Sequence, residues 1–396
     1  MELFEKVYRM TALGDLVAHP SYILMILIGF GLLYLGIAKK YEPLLLVPIA
    51  FGVLLANFPG GGMGVEKIPE GLTLPQIAEQ YGIMNFVYYA LIKTGFLPPI
   101  IFMGVGALTD FGPMLRNLRL AFFGAAAQIG IFCVLMAAVA MGFTLKEAAS
   151  LGIIGGADGP TAIYTTIKLA PHLLGPIAIA AYSYMALVPV IIPFVVRFSM
   201  TKKELLINMK EQDKLFPSTK PIKNLQALKI MFPIALGSIV AILVPSSVPL
   251  VGFLMFGNLV KEIGVATGRL YQATSETILN SATVFLGLSV GATMTTKAFL
   301  NTQTLMIVVG GFIAFAISIL GGIMAVKVYN LFAKKKINPL IGATGLSAVP
   351  MAARVANEIA IKHDPSNHLL QYAMASNISG VIGSAVAAGV LISFLG

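Results

Sequence analysis

The sequence of 396 residues has few groups suited to cross-links or metal clusters: it contains one cysteine, no tryptophan and four histidines, and only 11% of its residues are charged. The lone cysteine, Cys133, excludes an intrachain disulfide and a cysteine metal cluster. The histidines are scattered through polar or boundary sequence, so they predict no zinc site. A phosphate-binding loop of the GxxxxGK type is also missing, so ATP is not expected to be the energy source.

Hydrophobic residues are abundant instead, at 57% of the chain with a mean hydropathy of +0.88. These values lie far outside those of a soluble domain. Several apolar runs approach or exceed the roughly 18 to 20 residues that cross a bilayer as a helix; they cover residues 21–38, 121–143, 173–198 and 304–326. Together with shorter runs interrupted by Gly and Pro, they predict an all-α polytopic membrane protein with about ten membrane segments.

The net charge of +10 would suggest nucleic acid in a soluble protein, but here the basic residues cluster in short loops between apolar runs. This is the positive-inside pattern of membrane proteins, and no nucleic-acid partner is expected. Residues 199–229 contain seven lysines and are predicted to form a cytoplasmic loop. Residues 1–20 lack a basic n-region and a cleavage site, so they predict an interfacial helix rather than a signal peptide.

The second half of the chain repeats a motif of the first. Residues 156–163 align with residues 342–349 as G-A-[DT]-G-x-[TS]-A-[IV], at an offset of 186. The apolar run 121–143 has a counterpart in 304–326, and a Pro and an Asn nine residues apart occur as Pro48 with Asn57 and as Pro249 with Asn258.

This repeat predicts two related transmembrane halves, residues 21–198 and 230–396, joined by the loop at 199–229. Many secondary transporters consist of such halves in inverted orientation, with broken helices that meet near the membrane midplane. We expect that architecture here.

Asp158 is the most informative residue of the first motif. A carboxylate in an apolar segment costs about 3 kcal/mol on insertion scales and usually marks an ion or proton path. Gly156 to Pro160 should break the helix, because Gly and Pro are poor interior helix formers. Pro160 suits the first turn of the restarted helix, so Asp158 would lie beside its N-terminus. With Thr161 and freed carbonyls, it would offer oxygen ligands to a hard cation. The alternative is an Asp that only caps the helix.

Other polar residues extend this constellation. Asn338, Gly342 and Ser347 surround the second break, and Thr344 replaces the Asp, so only one half supplies a full charge. Asn377 lies in the last apolar run, beside small residues at intervals of four, which would let helices approach closely; these are Ser376, Gly380, Ser384 and Ala388. Helix packing is the alternative role for Asn338 and Asn377.

Three stretches resemble a known family, the membrane-embedded beta subunit of the sodium-pumping biotin-dependent decarboxylases. They are GGADGPT at residues 155–161, NPLIGATGLSAVPMAARVAN at 338–357 and SNISGVIGSAVAAG at 376–389. The resemblance covers essentially the whole chain. It implies a subunit that decarboxylates carboxybiotin while it moves sodium outward and consumes a proton. The acid differs among members of the family, which act on oxaloacetate, methylmalonyl-CoA, glutaconyl-CoA or malonate.

The resemblance also implies roles for individual residues. Asp158, Thr161, Asn338, Gly342, Ser347 and Asn377 would line the sodium sites. Tyr184 and Ser347 would relay a proton, and Arg354 would hold the carboxylate of carboxybiotin, since a guanidinium fork matches carboxylate geometry. Tyr184 could instead belong to an interfacial aromatic belt, and Arg354 could be a positive-inside anchor.

The expected partners follow from the same resemblance. No lysine lies in an Ala-Met-Lys-Met context, so biotin must come from a separate carrier protein or domain. A carboxyltransferase alpha subunit, a small membrane subunit of gamma or delta type, oligomerisation, and a place in the prokaryotic cytoplasmic (inner) membrane are also expected. A secondary sodium, proton or organic-anion transporter without catalysis is the alternative function, because broken-helix repeats fit either class.

Overall fold

The computed structural model describes residues 8, 10–40, 43–69, 71–216, 224–300, 302–348 and 350–396. Two predictions lie partly outside these residues. The interfacial helix expected over residues 1–20 is described only as Leu13–Ala18, and residues 217–223 of the lysine-rich loop are not among them. Val349, the last position of the second motif, also lies outside.

Within the described residues the regular structure is entirely helical, which confirms the all-α prediction. The helices before the lysine-rich loop are α1 Leu13–Ala18, α2 Pro20–Ile37, α3 Pro43–Asn57, α4 Leu74–Val87, α5 Leu97–Leu108, α6 Gly112–Arg116, α7 Leu118–Ala127, α8 Ile129–Ala140, α9 Leu145–Gly152, α10 Gly159–Leu169, α11 Leu174–Ala186 and α12 Val188–Ser199. Those that follow are α13 Lys202–Leu205, α14 Met209–Leu215, α15 Leu225–Leu243, α16 Val248–Ile263, α17 Gly268–Gln272, α18 Leu279–Ala292, α19 Thr296–Phe299, α20 Thr302–Phe332, α21 Leu340–Ala343, α22 Met351–His363 and α23 Leu370–Leu395.

Six of these helical stretches are long and apolar enough to cross a membrane, and two bent pairs raise the number to eight, counted over the described residues. The bent pairs are Leu74–Ile92 with Leu97–Leu108, at 66°, and Pro171–Met185 with Val188–Ser199, at 69°. The polytopic membrane class is therefore confirmed. The count of about ten, which includes interrupted segments, stays a prediction.

Helices α9 and α10 form a hairpin, which we call the first hairpin. Its two ends are joined at the base, where Oε1 of Glu147 lies 2.8 Å from Nε2 of His172. The tip, residues 153–158, holds the first motif. His172 and Thr304, which lies near the start of α20, line the same cavity.

A second hairpin is formed by α21 and α22. Its base is fixed to the lysine-rich loop: Nδ2 of Asn338 donates to the carbonyl of Ile207 at 2.9 Å, and Nδ2 of Asn208 donates to Oδ2 of Asp364 at 3.1 Å. This base lies beyond the other end of α20, since Asn330 donates to the carbonyl of Ile337.

Helix α20 provides a measure of depth for both hairpins. Its 31 residues rise about 46 Å at 1.5 Å per residue, enough to cross a bilayer. Near its middle, Ser318 lies against Gly155 of the first hairpin, and Gly322 lies against Gly342 of the second. The hairpins thus enter from opposite ends of α20, and their tips meet near its centre. Inverted halves would produce this arrangement, although the inversion itself stays a prediction.

The two halves also exchange helix contacts. In the first pair, a Cβ on Gly106 of α5 would lie 2.0 Å from the carbonyl oxygen of Leu254 in α16. In the second pair, a Cβ on Gly291 of α18 would lie 2.1 Å from the carbonyl oxygen of Ile49 in α3. Only glycine allows backbones to cross this closely. Each half therefore packs two of its helices against two helices of the other half, α5 against α16 and α18 against α3.

The paired asparagines take part in these crossings. Nδ2 of Asn57 donates to the carbonyl of Met294 at 2.7 Å, just beyond α18, and Nδ2 of Asn258 donates to the carbonyl of Thr109 at 2.8 Å, just beyond α5. Both asparagines are fully buried. Equivalent residues thus close the ends of equivalent helices, as expected of related halves. The exact division into residues 21–198 and 230–396 remains a prediction.

Candidate functional site

The tip of the first hairpin is built as its glycines and proline predict. A 3-10 turn over Ile153–Gly156 ends at Ala157, whose φ of 56° is left-handed. Asp158 then caps α10, with Oδ1 accepting the N–H of Thr161 at 3.2 Å, and Pro160 lies in the first turn. The predicted break is confirmed, as is the predicted position of Asp158 beside the N-terminus of the restarted helix. Because capping uses only one carboxylate oxygen, the other remains available for a second partner.

Ser384 of α23 is that second partner. Its hydroxyl donates to Oδ2 of Asp158 at 2.8 Å and lies 2.8 Å from the hydroxyl of Ser347. A serine hydroxyl has a single hydrogen. When Asp158 is ionised, it accepts the hydrogen bond that Ser384 donates. Ser384 then has no hydrogen left for Ser347, so Ser347 must donate to Ser384. A chain of two hydroxyls thus leads from the buried carboxylate to Ser347, which is only half-buried.

The two hairpin tips also meet directly. The backbone N–H of Ser347 donates to the carbonyl of Gly156 at 3.0 Å. The second break is held open by Asn377 of α23, whose Nδ2 donates to the carbonyls of Thr344 at 3.0 Å and Leu346 at 2.5 Å. The repeated motifs therefore form one site, although 186 residues separate them in sequence.

Several oxygens around the tips are buried without a hydrogen-bond partner among the described residues. They include Oγ1 of Thr161, Oδ1 of Asn377, Oε1 of Gln128 and the hydroxyl of Tyr182. Buried polar atoms are normally paired, and each exception costs about 1–3 kcal/mol. Carboxylate, hydroxyl and amide oxygens are the ligands that a hard cation prefers. The described residues include no group of three or more His, Cys, Asp or Glu that could hold a metal ion.

Two tyrosines of α11 occupy different places. Tyr182 packs against the first tip, since a Cβ on Gly159 would lie 2.4 Å from its ring. Tyr184 faces α20 instead, where its hydroxyl donates to the carbonyl of Val308 and its ring packs on Phe315. No contact among the described residues joins Tyr184 to Ser347, so the structure does not bring together the two hydroxyls of the predicted relay. Ser384 occupies the position beside Ser347.

Asn338 and Gly342 do not lie at the tip. Asn338 lies at the base of the second hairpin, and Gly342 lies in α21. The amide of Asn338 is occupied by the carbonyls of Leu205 and Ile207, and its Oδ1 accepts the N–H of Leu340. Gly342 lies where a Cβ would be 2.0 Å from the carbonyl oxygen of Gly322. These contacts favour structural roles. The prediction that the two residues bind sodium is untested.

Arg354 lies on the exposed face of α22, with Glu358 and Lys362 at intervals of four residues. The opposite face of the same helix, which includes Ala353 and Ala356, is buried. Lipid-facing charges at membrane depth are costly, and such residues normally face a water-filled cavity. Helix α22 leads from the tip at Ser347 to the lysine-rich loop, so its charged face runs along the second hairpin.

Sequence reasoning missed three residues of this site. Ser384 was counted among the small residues at intervals of four, which suggested packing alone. Tyr182 was passed over in favour of its neighbour Tyr184. Gln128 was not considered, although it is the only uncharged polar residue in the apolar stretch Leu118–Ala140 apart from Cys133. A buried amide in such a stretch is a usable signal, since polar residues inside membranes are usually functional.

Comparison with known proteins identifies the family. A family model described as "Na+-transporting oxaloacetate decarboxylase beta subunit" matches residues 21–395. The chain belongs to this family. It is 48% identical to the methylmalonyl-CoA decarboxylase subunit beta of Propionigenium modestum, over 94% of this chain and 95% of the relative. It is 44% identical to the oxaloacetate decarboxylase beta chain 2 of Salmonella typhi, over 94% of each chain. A third relative, the methylmalonyl-CoA decarboxylase subunit beta of Veillonella parvula, is 46% identical over 94% of this chain and 92% of its own length.

Family membership confirms the resemblance read from the three motifs. The chain is a beta subunit of the sodium-transporting decarboxylases, and such a subunit belongs to a complex of several chains. Relatives of similar identity carry the names of two different acids. Similarity of this chain to its relatives therefore does not identify the acid.

Proposed function

We propose that this subunit decarboxylates carboxybiotin and uses that reaction to move sodium outward, with one proton consumed. The observation that carries the proposal is the hydroxyl chain from Asp158 through Ser384 to Ser347. It connects a buried carboxylate at the first tip with a half-buried hydroxyl at the second. A cation site and a proton-consuming reaction need such a connection if they are to be coupled.

The cation site lies at the first tip in this proposal. Asp158 supplies the charge, Thr161 supplies a buried hydroxyl oxygen, and Asn377 supplies an amide oxygen at the second break. Sodium competes with a proton for Asp158, because a buried carboxylate is stabilised by either. Loading the site with sodium thus releases a proton inside the protein.

The released proton leaves through the hydroxyl chain. When Asp158 is protonated it donates to Ser384, Ser384 donates to Ser347, and Ser347 donates to the reacting group. Each hydroxyl accepts one hydrogen and gives up another, so neither changes its charge. Decarboxylation of carboxybiotin breaks the bond between the carboxylate carbon and the ureido nitrogen, releases carbon dioxide, and requires one proton on that nitrogen. In this proposal Ser347 delivers that proton.

Arg354 would receive the carboxylate of carboxybiotin. It lies in the first turn of α22, close after the tip that holds Ser347, and on an exposed face. Its guanidinium is uncommitted among the described residues. A guanidinium fork matches a carboxylate with two parallel hydrogen bonds. In this proposal, water fills the space along the charged face of α22 and admits the substrate from the lysine-rich side, which the positive-inside rule assigns to the cytoplasm.

Outward release of sodium would use the other hairpin. Its base borders a cavity of about 680 Å³ that opens at the Thr304 end of α20. Glu66, His172 and Lys297 line this cavity, so it is suited to water and ions. Access from opposite ends to one central site is the arrangement that alternating access requires.

The proposal includes partners and a location. A carboxyltransferase alpha subunit would load biotin on a carrier protein or domain, and a small membrane subunit of gamma or delta type would complete the complex. The assembly would lie in the cytoplasmic (inner) membrane of a prokaryote. Support comes from the relatives, which are named as beta subunits and beta chains of decarboxylases.

Sodium uptake into inverted membrane vesicles that carry the assembled complex tests this function. Radioactive sodium is measured with each candidate acid as substrate, with and without avidin. We expect substrate-driven uptake that avidin blocks and that Asp158→Asn abolishes. Asp110→Asn is the matched control, since it makes the same change in a half-exposed carboxylate that pairs with Lys229 at 2.7 Å; it should retain uptake. Uptake driven by ion gradients alone and indifferent to avidin would refute the proposal and indicate a secondary transporter.

A further inference from the structure

We infer that Gln128 is a ligand of the transported cation, contributed by a third element that contacts both hairpin tips. Gln128 lies at the break between α7 and α8, and it is 6% exposed. The inference rests on the cation site proposed at Asp158.

Hydrogen-bond chemistry fixes the orientation of the Gln128 amide. Its Nε2 lies 3.1 Å from the carbonyl oxygen of Gly345, 3.2 Å from that of Gly124 and 3.4 Å from that of Gly380. All three are acceptors, so a flipped amide would place an oxygen against three oxygens. Only the NH₂ group can face them. Oε1 must therefore point the other way.

That oxygen faces the first hairpin. A Cβ on Gly156 would lie 3.4 Å from Oε1 of Gln128 and 3.0 Å from Cβ of Ser384. The oxygen and Ser384 thus flank the same glycine, and Ser384 is hydrogen-bonded to Asp158. Among the described residues Oε1 has no hydrogen-bond partner. A cation between Oε1 and the carboxylate would satisfy both.

Gln128 also links the two hairpin tips. The nitrogen of Gln128 binds the second tip at Gly345 and helix α23 at Gly380, while its oxygen faces the first tip. A full ligand set therefore exists only while the two tips are together. Movement of either hairpin would withdraw a ligand and release the cation, as alternating access requires.

Equilibrium sodium binding to the purified complex, measured by titration calorimetry, tests the inference. Gln128→Met removes the oxygen and should raise the dissociation constant for sodium at least tenfold, which corresponds to about 1.4 kcal/mol. Gln128→Glu, as the protonated acid, turns its O–H toward the three backbone carbonyls and keeps a carbonyl oxygen as ligand. Its dissociation constant for sodium should therefore stay within about threefold of the wild-type value, which corresponds to about 0.7 kcal/mol. Ser289→Ala is the control, because its buried hydroxyl also has no partner among the described residues but lies in α18; it should bind sodium normally.

Unchanged binding in Gln128→Met would overturn the inference. Equal weakening in Gln128→Met and Gln128→Glu would also overturn it, since the amide donors rather than the oxygen would then matter. Thermal unfolding of each variant verifies that the complex is folded. If Gln128→Met does not fold, Gln128→Leu carries the test, since it also lacks the oxygen and should show the same weakening of sodium binding. Asp158→Asn separates the two proposals. Normal sodium binding in Asp158→Asn would refute the cation site itself, whereas loss there with normal binding in Gln128→Met would refute only the role of Gln128.

Discussion

Replacement of Ser384 by alanine removes the middle of the hydroxyl chain and leaves both ends in place. The substitution deletes the 2.8 Å hydrogen bond to Oδ2 of Asp158 and the 2.8 Å contact with Ser347. It adds no atoms to a region where Gly156 already lies against Cβ of Ser384. The expected effect is therefore a loss of coupling without a loss of fold.

The magnitude follows from the partner's charge. A hydrogen bond to a charged group contributes about 1.5–3 kcal/mol. If that stabilisation is needed each time the proton leaves Asp158, Ser384→Ala should slow decarboxylation by about 10- to 150-fold, since about 1.4 kcal/mol is a factor of ten in rate. Ser347→Ala should slow it to a similar degree, and the double variant should be little slower than either single one, because both changes break one chain.

The assay is the release of carbon dioxide by the reconstituted complex, with sodium uptake measured in the same vesicles. Ser379→Ala is the matched control: it lies one turn away in α23, and its hydroxyl donates only to backbone carbonyls, those of Ala121 and Ser376. It should keep near-normal rates. Wild-type turnover and sodium uptake in Ser384→Ala would refute the relay, as would fully additive losses in the double variant.

Two further predictions concern the packing that positions the site. Gly322→Ala should destabilise the protein by about 3 kcal/mol or more, because the new Cβ would lie 2.0 Å from the carbonyl oxygen of Gly342 and backbone cannot rotate away; Gly310→Ala in the same helix meets nothing within 4 Å and should be neutral or slightly stabilising. Thermal unfolding in detergent compares the two, and equal midpoints would contradict the close crossing. Glu147→Gln should weaken the base of the first hairpin by about 1 kcal/mol or less, the range of an exposed cap or ion pair. The N–H of Thr144 and the side chain of His172 hold the pKa of Glu147 below its usual value, so this stabilisation is complete above the ordinary pKa and is lost as the pH falls through the lowered one. The unfolding midpoints of the wild type and of Glu147→Gln should therefore converge as the pH falls. A difference between the midpoints that increases in acid would contradict this prediction.

Tyr184 and Asn338 illustrate where the sequence-based site and the structure differ. Both were placed by resemblance of motifs, which gives residue types along a chain but not the direction of a side chain. In the structure Tyr184 faces α20 and Asn338 is tied to Leu205 and Ile207. Their predicted roles in proton relay and sodium binding remain predictions.

Ser384 shows the opposite case, a residue whose signal was present but was interpreted differently. Small residues at intervals of four in α23 were taken to indicate close helix packing, and that packing exists: a Cβ on Gly380 would lie 2.3 Å from the carbonyl oxygen of Gly345. The same close approach brings the hydroxyl of Ser384 to Asp158. The small residues at intervals of four therefore allow both the close packing of α23 and the contact between Ser384 and Asp158.

Sequence alone determined the membrane class, the break at Gly156 to Pro160 and the capping position of Asp158. These properties depend on hydropathy summed over a segment and on the backbone restrictions of Gly and Pro within a few residues, so they need no distant partner. Only the tertiary structure decided what surrounds the carboxylate. Ser384 lies 226 residues from Asp158 along the chain, and Gln128 meets Gly345 across 217. Such contacts arise from the packing of two hairpins and α23 against one another, and no local pattern specifies which side chains that packing brings together.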